Sequence, residues 1–203
     1  DGEDIHKIAV TLCELKKHNE AYRYLKLLLQ YKPYDIRILH YIAVASFNLK
    51  RYNEALSHWS SMEKISPHNT ISSYYKRYTL QVLKSQRDFK EISYSYQVPY
   101  DEMINRVKRI NDYVNMPSEE QKHRWIEDET IYNLFSWGID LSDAKIKKAI
   151  LVTVSKFGDE KSEKFLRDFL LKRDEGEELK KEALAYLKRM DAKEPYIAYI
   201  DGS

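Results

Sequence analysis

Three sets of side chains fall at helical spacing and could form a binding face. His6, Val10 and Cys13 form the first, Arg37, His40, Val44 and Phe47 the second, and Tyr74, Tyr78 and Gln81 the third. Residues three or four apart share one side of a helix, so each set is a rung of apolar and aromatic groups. His6 and His40 make the ladder partly polar, and Arg37 with His40 suggests a place for one acidic group. A groove of this composition suits an extended or helical peptide with apolar anchors. The competing assignment packs Val44, Phe47 and Tyr78 against residues 85–100 of the same chain, and the sequence leaves both open.

Other chemistry is thinly represented. The six histidines are dispersed, without the His-x-x-x-His or His-Glu-x-x-His spacing of a metal site. There is no glycine-rich phosphate loop and no Gly-x-Ser-x-Gly elbow. Lys145, Lys147 and Lys148 form a short basic run that reads either as phosphate contacts or as a solvated helix face. Tyr74, Tyr75, Tyr78, Tyr94, Tyr96 and Tyr100 concentrate a tyrosine-rich region, which serves an interface, base stacking or an internal junction.

The elements that position the ladder repeat. Displacing the sequence by 34 residues superposes Ile5 on Leu39, Ile8 on Ile42 and Ala9 on Ala43. Asn19-Glu20-Ala21 falls on Asn53-Glu54-Ala55, Leu25 on Trp59, Leu28 on Met62 and Pro33 on Pro67. That period marks helix–turn–helix units, which bury their apolar faces by stacking on one another. Ala9, Ala21, Ala43 and Ala55 are the small residues of close helix crossings, and Pro33 and Pro67 end each unit. A third first-helix over 70–84 carries Arg77 in the alanine slot. A bulky charge does not fit a tight crossing, so this helix reads as a cap or as the adaptor to the next part, not as a full repeat.

The pattern over residues 1–70 resembles the tetratricopeptide repeat family. Ser46 departs from it, where the family has a large residue, and Phe47 beside it is a substitute. The resemblance implies a concave surface lined by the first helix of each pair. The family's carboxylate-binding lysine and asparagine positions hold His6 and Val10 here, so that particular activity does not carry over.

Beyond residue 84 the period changes. Ile92, Tyr94, Tyr96 and Val98 alternate with Ser93, Ser95 and Gln97, the strand signal. Residues 196–200 are the other β-like stretch, and the two together predict a short ribbon. Helices are expected over 100–114, 121–137, 143–157 (capped by Ser142, ended by Gly158), 160–172 and 177–190. Asp143, Ile146-Lys147, Ala149 and Gly158 resemble the second helix of a HEAT repeat, with 177–187 a looser copy. The resemblance covers roughly 125–190 and implies a second stack of helix pairs. Some HEAT-like proteins are DNA glycosylases, and Trp125, Asp128, Tyr132, Trp137 and Asp140 are residues of the types they use. The alternative makes the two tryptophans core anchors and the acids helix caps.

Composition narrows the class. Of 203 residues 43% are apolar, enough for a core, and five Gly with five Pro are too few for an all-β fold. Residues 1–100 carry 15 basic and 10 acidic side chains and the remainder 19 and 22, a mild asymmetry that argues against a dedicated nucleic-acid binder. One cysteine, Cys13, excludes an internal disulfide and fits a reducing compartment. No apolar run reaches the ~18 residues that span a bilayer, and no signal peptide is visible. A start at Asp1-Gly2 rather than Met, directly before a helical pattern, reads as that of a fragment and leaves a preceding targeting segment or further repeats open. The expectation is an all-α, α-α superhelical protein in three parts: repeats over 1–84, a connector over 85–120 and HEAT-like pairs over 121–203. It is expected to be cytoplasmic and non-catalytic, without metal or cofactor, and to hold a protein or peptide partner. Nucleic acid bound through Lys145, Lys147 and Lys148 is the alternative.

Overall fold

The computed structural model describes residues 2–67, 69–141 and 143–199, and these form an all-α protein of eleven helices. The chain divides into two compact units, Asp1–Glu102 and Met103–Ser203.

In the first unit α1 (Gly2–Glu14) packs on α2 (His18–Tyr31), α2 on α3 (Ile36–Asn48), α3 on α4 (Tyr52–Ile65) and α4 on α5 (Thr70–Leu83). Ala9, Ala21, Ala43 and Ala55 are each fully buried, as close helix crossings require. The 34-residue period extends to individual hydrogen bonds. Lys16 and Lys50, both with positive φ, close α1 and α3: Lys17 N–H donates to Leu12 C=O, and Arg51 N–H to Ser46 C=O. Ser85, also at positive φ, ends α5 in the same way, with Gln86 N–H donating to Gln81 C=O. Such left-handed caps satisfy the last carbonyls of a helix. Asp35 caps α3 and Asn69 caps α5, each accepting two backbone N–H groups. Arg77 is exposed on α5, where no small residue is needed. Ser46 is buried and donates to Ile42 C=O, while Phe47 supplies the bulk.

Two apolar clusters run through this unit. One joins α1, α2 and α3 through Ala9, Cys13, Leu25, Leu28, Ile38 and Ile42. The other joins α3, α4 and α5 through Val44, Phe47, Trp59, Met62 and Tyr75, and it includes Ile92.

The helix α6 (Tyr100–Val114) leads into the second unit, where α7 (Ser118–Glu127), α8 (Glu129–Ile139), α9 (Ala144–Ser155), α10 (Glu160–Leu170) and α11 (Glu177–Arg189) pack successively. The helix expected over 121–137 is two helices. Asp128, extended at φ −113°, ends α7 and caps α8 by accepting Thr130 N–H. The cap expected of Ser142 lies outside the described residues, and Asp143 caps α9. The core centres on Trp125, fully buried and stacked on Phe157 at 5.2 Å. Gly138 allows a close crossing, since a Cβ there would come within 2.6 Å of Ile150 and 2.8 Å of Ile110.

No strand forms among the described residues, so the expected ribbon is corrected. Residues 92–98 form no regular element, with a bend at Tyr96 and Gln97, and α3 and α5 take backbone groups of Ile92, Ser95 and Gln97. At the other end Tyr199 N–H donates to Leu170 C=O, and Ile200 lies outside the described residues.

Candidate peptide-binding groove

The non-helical segment 88–98 lies against α3 and α5 of the first unit, held chiefly through its backbone. The Asn48 side chain grips both polar groups of Ile92. Its Nδ2 donates to Ile92 C=O and its Oδ1 accepts Ile92 N–H, each at 2.9 Å. His40 Nε2–H donates to Ser95 C=O at 3.0 Å, and Tyr75 O–H donates to Gln97 C=O at 2.9 Å. Two tyrosines of the segment anchor its sides: Tyr94 O–H pairs with His18 Nδ1 at 2.8 Å, and Tyr96 Oη accepts from Asn69 Nδ2 at 2.7 Å.

The alternation in the sequence is what permits this. Ile92 and Val98 are buried, Tyr94 and Tyr96 are half-buried, and Glu91, Ser93 and Ser95 face water. In an extended chain successive side chains point to opposite sides, so one set of alternate residues reaches the helices. Phe89 adds a stacked contact on Phe47 at 5.7 Å.

His40 is the polar centre. It is fully buried, with Nε2–H on Ser95 C=O and Nδ1 accepting from Trp59 Nε1–H at 3.5 Å. Both ring nitrogens are therefore used by a neutral imidazole. Burial depresses its pKa to about 4, against a small upward pull from the Ser95 carbonyl. Tyr75, stacked on Trp59 at 5.5 Å, has its phenol pKa raised by burial and by Tyr74 and Tyr78.

The ladder is thus split. His40, Val44 and Phe47 lie fully buried beneath the chain's own segment. Tyr74 and Tyr78 are half-buried and stacked on one another at 6.3 Å, with the Arg87 guanidinium 5.0 Å over Tyr78. His6 and Arg37 are exposed, so Arg37 and the sealed His40 do not converge on one acidic group. Val10 is half-buried and lines a cavity of about 480 Å³ with Cys13, Tyr41, Ser93, Tyr94 and Ser95. The Cys13 thiol is pushed up to about 12 by burial and by Glu14, which makes it unreactive.

Asn48, His18 and Asn69 do not stand out in the sequence as site residues, although with Tyr75 of the tyrosine-rich region they do much of the holding. Asn48 was within reach: it continues the four-residue spacing of His40 and Val44.

In the second unit the basic run is largely neutralised. Lys147 Nζ donates to both carboxylate oxygens of Glu175 at 2.7 Å, and Lys148 pairs with Glu182 at 2.7 Å. Lys145 alone of the three has no ion pair among the described residues, which leaves little charge to meet a phosphate chain. The glycosylase-type residues do not converge either. Trp125 is core, its Nε1–H donating to Asp159 at 3.3 Å, and Trp137 is buried under the Arg106 guanidinium. Tyr132 O–H donates to Asp168 at 3.3 Å, and burial raises its pKa to about 12. Asp128 is a cap, held below the usual carboxylate range chiefly by the Thr130 hydroxyl, and Asp140 pairs with Lys172 at 2.6 Å. Among the described residues no group of three His, Cys, Asp or Glu is placed to hold a metal, and no helix is long and apolar enough to cross a membrane.

The fold and site define an all-α stack of helix pairs with an extended segment along one unit. No protein-family model, curated protein or solved structure matches the chain.

Proposed function

We propose that this protein is a non-catalytic scaffold of tetratricopeptide-like and HEAT-like helix pairs whose first unit holds an extended segment of a protein partner. The carrying observation is the way residues 88–98 are held. Fixed polar side chains of the helices take the backbone, and apolar slots take alternate side chains. Peptide-recognition sites use that division of labour, with main-chain bonds giving affinity and pockets giving specificity. The chain's own segment then acts as a tethered occupant, present at an effective concentration in the millimolar range.

The test replaces residues 88–98 by a Gly/Ser linker of equal length and titrates a synthetic peptide of residues 88–99. A variant that keeps its helical circular dichroism is expected to bind the peptide, at least tenfold more tightly than the unaltered chain does. A folded variant that does not bind it contradicts the reading.

A further inference from the structure

Tyr41 of α3 and Tyr94 of the segment are two walls of the cavity of about 480 Å³, a volume typical of small-ligand sites, commonly ~300–1,000 Å³. Their ring centroids lie 6.5 Å apart and their planes cross at 71°. A cation seated between two such rings meets both within the ~6 Å over which an aromatic face attracts it. Both rings are held in place. Tyr94 Oη pairs with His18 Nδ1 at 2.8 Å, and its ring stacks on the His18 imidazole at 5.7 Å. Tyr41 lies against the buried His40 ring at 6.0 Å.

The lining has negative charge to spare. Its Glu91 carboxylate is taken by Lys16 at 3.2 Å, with His18 at 3.6 Å. Its other carboxylate, Glu14, has no ion pair among the described residues. Burial first, and then these acids, push three lining groups up: Glu14 acts on Cys13 and Tyr41, and Glu91 on Tyr94. Arg37 and Asp35 act on Tyr41 with opposite signs. Both phenols therefore stay neutral at pH 7, and their faces remain available to a cation. A methylated ammonium spreads its charge over apolar methyl groups, so it leaves water readily for walls of this kind and gains from rings and carboxylate together.

We propose that the cavity between Tyr41 and Tyr94 binds a methylated ammonium group, its charge facing the two rings and Glu14 and its methyl groups against Val10 and Cys13. The group is carried by a small quaternary ammonium compound or by a methylated lysine side chain, and the recognising chemistry is the same for both. Because Glu91 and Tyr94 belong to the seated segment, the site is complete only with residues 91–95 in place. By linkage, the bound cation stabilises the seated segment. The site does not require that a partner peptide ever occupy the groove.

The experiment titrates choline into the intact protein by calorimetry, beside the neutral alcohol of the same shape in which carbon replaces the quaternary nitrogen. Choline is expected to bind at least tenfold more tightly than the alcohol. Tyr41→Leu removes one ring and is expected to weaken choline binding at least tenfold, while Tyr41→Phe keeps the ring and retains binding. Glu14→Lys changes an exposed side chain, so the protein folds, and the reversed charge is expected to abolish binding. The amide of N-acetyl-trimethyllysine, titrated in the same way, separates the two carriers. Tighter binding than choline's assigns the group to a modified protein side chain, and weaker binding assigns it to a free small molecule. Absence of saturable binding by both cations overturns the proposal. Equal binding of the neutral alcohol overturns it too, as does unimpaired choline binding by the Glu14→Lys protein.

Discussion

Each unit carries a non-helical segment held by side chains that reach its backbone, but they use opposite kinds of donor. In the first unit the donors are neutral: the Asn48 amide, the His40 imidazole and the Tyr75 phenol. In the second they are cations. Arg167 donates to Pro195 C=O at 3.0 Å and to Lys193 C=O, and buried Lys180 donates to Tyr199 C=O. Cation–π contacts reinforce the second set, with Arg167 over Tyr196 at 5.6 Å and Arg173 over Tyr199 at 5.2 Å. Neutral donors hold a backbone without demanding a counter-charge. The cationic donors bind their tail through both carbonyls and aromatic faces, which ties them to one particular sequence.

The largest effects come from the two cores. Trp59→Ala and Trp125→Ala each remove a fully buried indole and should cost about 3–5 kcal/mol in urea unfolding. Trp59→Ala also strips the donor from His40 Nδ1 and is expected to loosen the segment at Ile92, which unchanged Ile92 exchange would rule out. Trp125→Ala instead releases Asp159 and the Lys161 contact at 4.9 Å over its ring.

Acid sharpens the contrast next. His40 has a folded pKa of about 4, below its ordinary 6.5, so the unfolded chain binds more protons between those values. Its contribution is fully present above pH 6.5 and is lost as pH falls towards 4, about 3 kcal/mol in all. Urea midpoints measured across that window should fall, and His40→Phe should remove this part of the slope. A slope unchanged by His40→Phe would place the ring outside the groove. A smaller loss, ~1–3 kcal/mol, is expected for Asn48→Ala, which leaves both Ile92 backbone groups unpaired. The smallest effect is a gain. Ser85 sits at φ 54°, so Ser85→Gly should raise stability by about 0.5–1 kcal/mol in the same assay.

The first unit was legible because its repeat is written twice, in Ala9 and Ala43, in Asn19-Glu20-Ala21 and its copy, and in Pro33 and Pro67. The alternation of Ile92, Tyr94, Tyr96 and Val98 announced an extended chain but not what would cover it. Period two says only that two sides differ, so a strand partner was expected where helices stand. Asp128 was weighed as a cap, but the helix break at it was hidden because apolar spacing continues through it from Trp125 to Leu134, while its own carboxylate is what starts α8. Lys147 and Lys148 looked like a free patch because their partners, Glu175 and Glu182, lie 28 and 34 residues away along the chain.

Amide hydrogen exchange at three neighbouring residues tests the seated segment most directly. Ile92 N–H, taken by Asn48, should exchange at least tenfold more slowly than Ser93 and Tyr94 N–H, which no group among the described residues takes. If Ile92 exchanges as fast as Ser93, the segment does not lie in the groove and the account fails.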